Sequence, residues 1–231
     1  MTEDVDQGFG PAPEPSWTEK LWELTEDAWK ECVQRPKYLF VFVCLTGSRL
    51  IFVLFSVYLQ LWIISYEESG VLSSKKEADS VYMTVVTISI FLIAIVAPAF
   101  GIISDRIDNR VLVPTTFALR GLCGVSFQFV TDPKMWYSYT LCVLIIIVSV
   151  VQFISVEVLF MRNMKAHIRG TLNGIAFFFG SVGTTTFALF GGKLFDSIGP
   201  WAPFSLVGIA DFAIVIFAFI FIALGKLPKY D

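Results

Sequence analysis

Six long apolar runs constrain this chain more than any other feature. They cover roughly 38–64, 81–103, 111–130, 136–161, 170–192 and 203–225. Each is near or above the ~20 residues that a helix needs to cross a hydrocarbon core of ~30 Å. In lipid the backbone must satisfy its own hydrogen bonds, so runs of this length become helices. The links between them are short except for 65–80, which is polar and charged, so consecutive helices are expected as antiparallel neighbours. The expected fold is an all-α membrane protein of six transmembrane helices. With 55% of its 231 residues hydrophobic and 16% aromatic, a water-soluble form would expose far more apolar surface than such proteins carry.

Three regions follow from the pattern. Residues 1–15 form an acidic, Pro-rich tail that fits neither a secretory signal nor an Arg-rich presequence, so no cleaved leader is expected. Residues 16–36 carry Trp17, Leu21, Leu24 and Ala28 at helical spacing, flanked by Trp22 and Trp29. That is the signature of an amphipathic helix lying at a membrane surface. Residues 37–231 hold the transmembrane bundle.

Basic residues set the expected orientation. Lys30, Arg35, Lys37, Arg106, Arg110, Arg162, Lys165, Arg169, Lys226 and Lys229 collect on one side, while Lys75, Lys76, Lys134 and Lys193 on the other are accompanied by acids. Both termini are therefore expected on the cytoplasmic side, or the matrix side in a mitochondrion. The net charge of −3 and the scattered basic residues exclude a nucleic-acid partner. Cys32, Cys44, Cys123 and Cys142 lack CxxC spacing and read as packing thiols. His167 is a lone loop residue. With no nucleophile–base set, metal cluster or phosphate-binding loop, neither catalysis nor a cofactor is expected.

Between the second and third runs, Gly101, Asp105, Arg106 and Arg110 are spaced G-x-x-x-D-R-x-x-x-R in a tight turn on the basic side. Glycine allows close helix approach, and an Asp at such a turn can face the positive end of a neighbouring helix. Between the fourth and fifth runs stand Glu157, Arg162, Arg169, Gly170 and Asn173, and Gly192 with Asp196 repeats the G-x-x-x-D spacing after the fifth. Over residues 16–225 this set resembles the C-terminal half of a major facilitator superfamily transporter. The first motif matches that family's signature after the second helix of a half, and Glu157 with the Arg169–Gly170 pair matches its helix 10–11 junction. The usual Pro after Phe160 is replaced by Met161, which argues against a close sugar-porter relative. The resemblance implies two inverted three-helix repeats, a linker-helix role for 16–36, and gating roles for the motif residues. Glu157 is expected to pair with Arg106 or Arg110.

Polar residues within the runs are the remaining candidates, because charges at membrane depth need a reason. At about 100° per residue, Thr46, Arg49, Ser56 and Gln60 share a stripe on the first span. In the family that helix lines the central cavity, so the stripe contacts an anionic substrate; the other reading pairs Arg49 within the bundle or with a partner. Asn173, Gly180 and Thr184 form a second stripe, and Ser149 with Gln152 a third. Arg120 and Asp211 lie deep in helices that are peripheral in the family, which implies a structural pair or contact with another subunit instead of a substrate role. Because a complete family member has twelve spans, two functions stay open. One is half of a solute transporter, completed by a second copy or a separate six-helix chain. The other is a non-transporting accessory subunit of a large membrane complex, such as a mitochondrial respiratory complex.

Overall fold

The computed structural model describes residues 16–163 and 168–225. The tail 1–15, Lys165, His167, Lys226 and Lys229 lie outside the described residues. Helix α1 runs Trp17–Gln34. A reciprocal cap starts it: the Glu19 N–H donates to Ser16 Oγ at 3.3 Å, and the Ser16 N–H donates to Glu19 Oε2 at 2.8 Å. Leu24, Ala28 and Cys32 press onto the bundle. Trp17, expected on this stripe, is instead exposed together with Trp22 and Trp29, since α1 meets the bundle only along its later turns.

Pro36, whose fixed φ and missing N–H suit the first turn of a helix, opens α2 (Pro36–Val53). One wide π turn, Leu54–Tyr58, then leads into α3 (Leu59–Glu68) without a break, and the Leu59 N–H reaches back five residues to the Leu54 carbonyl. Together these form the first expected span. After Gly70, held at φ +79°, the chain turns into α4 (Lys75–Ser104). Then follow α5 (Asn109–Ser126), α6 (Trp136–Asn163), α7 (Arg169–Ser197) and α8 (Ala202–Ala223).

Among the described residues, five segments are long and apolar enough to cross a membrane: Lys37–Glu68, Lys75–Ser104, Trp136–Arg162, Arg169–Ser197 and Ala202–Ala223. The third expected span, α5, is a helix but falls short of that test. It has 18 residues, and Asn109, Arg110 and Arg120 dilute its apolar content.

Two apolar clusters divide the core along the bundle. One, at the basic end, joins Tyr38, Phe40, Phe117, Leu159, Phe160 and Phe221 under α1. The other, at the opposite end, joins Leu54, Tyr58, Trp62, Phe127, Cys142 and Phe204. There Phe127 stacks on Phe204 at 4.0 Å, with Trp62 edge-on to Phe127 at 5.2 Å. Helices α5 and α8 approach most closely. A Cβ on Gly124 would lie 2.7 Å from the Phe204 carbonyl oxygen, and one on Gly208 would lie 2.7 Å from that of Gly121. Burial is uneven around the bundle: half of the most apolar stretch of Lys37–Glu68 is buried (50%), against 22% in α7 and 6% in α4.

Candidate functional site

The two deep arginines have opposite surroundings. Arg120 on α5 is fully buried and grips Asp211 on α8 with both arms of its fork, Nε to Oδ2 at 2.6 Å and Nη2 to Oδ1 at 2.5 Å. Nη2 also donates to the Gly47 carbonyl at 3.0 Å, so the pair ties α2 to α5 and α8. The expected pairing of these two charges is present. The Gln152 amide is buried beside Asp211 but outside hydrogen-bond geometry.

Arg49 on α2 is only 6% exposed, yet it forms no hydrogen bond or ion pair among the described residues. Its guanidinium carbon lies over the Phe177 ring, 3.6 Å from the centroid, a cation–π contact that uses none of its N–H groups in a hydrogen bond. Space for it exists because α7 carries Gly180, where a Cβ would lie 2.5 Å from Arg49 Cδ. The resulting hollow, about 320 Å³, is lined by Phe52, Phe153, Ser181 and Thr184 as well as Arg49, Phe177 and Gly180. Glu157 on α6 is the acid whose charge Arg49 feels.

A larger chamber of about 520 Å³ adjoins this hollow between α2, α4 and α6. Phe52 and Phe153 line both spaces, meeting edge to face at 6.1 Å. Ser56, Ser89, Ser149 and Tyr82 bring hydroxyls to the chamber, and the three serines each donate to a carbonyl of their own helix: Phe52 at 2.6 Å, Val85 at 2.7 Å and Ile145 at 2.6 Å.

The expected stripes are brought together only in part. Arg49, Gly180 and Thr184 share the hollow, while Ser56 and Ser149 face the adjoining chamber. Thr46 does not join them: its Cγ2 lies 2.5 Å from where a Cβ on Gly183 would stand, and it borders a separate groove beside α1. Gln60 is exposed beyond the π turn, which changes the helical phase assumed in counting 100° per residue. Asn173 lies two turns from Gly180 toward the basic end and lines neither space. The sequence reading missed Phe52, Phe153 and Phe177, because aromatic residues at membrane depth look like ordinary packing. The cue was Gly180 on α7, small enough to admit a large side chain from α2.

At the basic end, the expected ion pair from Glu157 to Arg106 or Arg110 is absent among the described residues. Glu157 lies more than a helical turn inward from Arg162 and faces the same opening as Asp105 and Phe153. Arg162 holds the motif loop instead. It donates to the Asp105 carbonyl at 3.0 Å, the Ser104 carbonyl at 3.3 Å and Asn109 Oδ1 at 3.2 Å, and meets Asp105 Oδ1 at 3.5 Å. The Asp105 side chain remains 75% exposed. Asp108 caps α5 by accepting the Arg110 N–H at 3.0 Å. Arg169 reaches back to the Met161 carbonyl at 3.2 Å across the α6–α7 junction, and Gly170 and Gly101 have open space at their Cα atoms. Arg106 is exposed. At the opposite end, Lys134 pairs with Glu77, and the hydrogen bond raises the lysine pKa above 10.5.

The motif loop and the apolar helices agree with the family comparison: the model of the Major Facilitator Superfamily matches residues 4–188. The chain belongs to the major facilitator superfamily. Among curated proteins it is similar to the magnetosome protein MamZ of Paramagnetospirillum magneticum, 23% identical over 209 residues, covering 89% of this chain and 32% of that protein. It is also similar to MamZ of Magnetospirillum gryphiswaldense, 22% identical over 193 residues, covering 82% of this chain and 29% of that one. The chain thus spans about a third of the length of these superfamily relatives. No solved structure gives a significant match. Five membrane-length helices and superfamily membership make this a transporter-like, multi-pass integral membrane protein.

Proposed function

We propose that the chain forms one six-span half of a solute transporter, completed by a second six-helix half, and that Arg49 contacts an anionic solute. The observation that carries this reading is Arg49 itself, a guanidinium among apolar helices with no acceptor among the described residues. A charge at that depth costs several kcal/mol unless something compensates it. A transported anion supplies the compensation that Asp211 gives Arg120. Helix α5 is counted as the sixth crossing, supported by its close packing along α8 and the sealing of its one deep charge. The six crossings then form two inverted repeats with both termini on the Arg106 and Arg110 side.

Alternating access needs two bundles moving about a central site. The sparse burial of α4 and α7 supports a second half seated against them. The exposed Asp105 carboxylate is suited to the N-terminus of a helix in that half, where unpaired N–H groups favour an anion. In a homodimer, that would be the start of the partner's equivalent of α7, near Gly170 and Thr171.

The test is flux of organic anions into liposomes that contain the protein with its native partners. Wild type is expected to carry flux that Arg49→Ala and Asp105→Ala abolish. Flux equal to that of empty liposomes across the anion panel would overturn the reading in favour of an accessory subunit.

A further inference from the structure

The Arg49 hollow and the neighbouring chamber together describe a ligand with two unlike ends. We propose that the site takes an amphiphilic organic anion, its charged head on Arg49 and its hydrocarbon body in the chamber between α2, α4 and α6. The proposal rests on reading Arg49 as a solute contact and adds the chemical class of that solute.

The head is specified by what Arg49 lacks. Its contact with Phe177 is a cation–π contact that consumes no N–H group, whereas carboxylates bind along the N–H edge, in plane and with two parallel hydrogen bonds. Thr184 and Ser181 stand in the same hollow. Each donates to its own helix, at 2.9 Å to the Ser181 and Phe177 carbonyls respectively, so Arg49 is the strongest free donor there. A cation has no place at this point, because the like charge of Arg49 repels it.

The body is specified by the chamber's hydroxyls. Ser56, Ser89 and Ser149 turn their protons back to helix carbonyls, so apart from the Tyr82 hydroxyl the wall is made of aromatic and aliphatic faces such as Phe52, Phe55 and Ile93. A sugar or polyol body would enter this space with its own hydroxyls poorly matched, and each unmatched buried group is costly. A hydrocarbon body loses only water. The chamber's volume of about 520 Å³ lies within the ~300–1,000 Å³ usual for small-molecule sites. The two spaces share one wall, the Phe52 and Phe153 side chains, so a ligand that fills both passes along or displaces these two rings.

The experiment is saturable binding of radiolabelled decanoate to the purified full chain, with any partners that copurify, in nanodiscs of zwitterionic lipid, after subtraction of empty nanodiscs. Acetate, inorganic phosphate, decylamine and decanol serve as competitors. Decanoate is expected to bind, with Arg49→Gln weakening it by about tenfold or more and Arg49→Lys by less. Ser56→Phe, which fills the chamber from an exposed helix position, is expected to weaken it similarly, and acetate and decylamine to compete at least about tenfold more poorly than decanoate. Monodisperse elution and unchanged helical circular dichroism establish that the variants fold. Decanoate binding indifferent to Arg49→Gln would overturn the proposal as simple partitioning. Acetate or phosphate competing as well as decanoate, with Ser56→Phe neutral, would overturn the amphiphile assignment and leave Arg49 as a small-anion contact. Binding as expected with no flux in liposomes would overturn the transport reading alone.

Discussion

Arg120 and Arg49 are the same side chain, each buried among apolar helices, and the bundle surrounds them differently. Around Arg120 every nearby element converges: α8 brings Asp211, α2 brings the Gly47 carbonyl, and Gly121, Gly124 and Gly208 let α5 and α8 close to backbone contact. Around Arg49 the elements stand back, with a ring on one face, a glycine beneath and open volume at the edge. A charge that the chain neutralises itself contributes to architecture. A charge that the chain shelters without neutralising is available to something else.

The largest expected effect comes from breaking the self-contained side. Asp211→Ala strands the Arg120 charge and should destabilise the protein by about 3–5 kcal/mol, whereas Arg120→Met combined with Asp211→Leu should recover most of the loss. Thermal unfolding of purified protein reads both, and an additive double variant would mean that the two charges act independently.

Glycine substitutions sharpen the contrast next. Gly124→Ala drives a methyl group toward the Phe204 carbonyl oxygen, where only backbone movement can relieve it, at a cost of about 1–3 kcal/mol. Gly180→Ala meets the flexible Arg49 side chain instead. It should leave the melting temperature nearly unchanged and reduce anion binding. Equal destabilisation by the two changes would erase the distinction between the sides.

Arg49→Gln should shift stability by less than about 1 kcal/mol, since removing an uncompensated charge offsets the lost contact with Phe177. A loss as large as that of Asp211→Ala would show that Arg49 is structural after all. The smallest effect is at the membrane surface. Lys134→Ala removes an exposed pair, and such pairs are weak. Because the folded lysine pKa is raised above 10.5, the pair's contribution is complete below that value and disappears as pH rises through the folded pKa. Unfolding midpoints of wild type and Lys134→Ala should therefore converge at strongly alkaline pH.

Much of this was legible in the sequence, for reasons that differ from residue to residue. The apolar runs dictated the helices because lipid leaves the backbone no alternative. Arg120 and Asp211 could be read as structural because each needed an opposite charge and the resemblance put their helices at the periphery. Arg49 stood out on cost alone. The local partnerships were not legible. Arg162 closes the motif loop by reaching backbone carbonyls that carry no sequence label, and Glu157 forms no ion pair with Arg106 or Arg110 among the described residues. The chamber was hidden too, since Phe52 and Phe153 differ from core phenylalanines only in having an empty volume beside them.

The wide turn at Leu54–Tyr58 acts as a calendar correction acts on a drifting year. A straight α-helix running from Pro36 to Glu68 would bring each later residue around by about 100° per step, and the two apolar clusters it must serve lie at opposite ends of the bundle. One intercalated residue resets the phase, so that Leu59, Trp62 and Ile63 beyond the turn address the same cluster that Ile51 and Leu54 meet before it. Deleting a single residue from this stretch would leave composition and length almost untouched. It would nevertheless swing Trp62 and Ile63 out of register with Phe127 and Phe204, so the timing of the first span depends on one residue that no tally of apolar content can reveal.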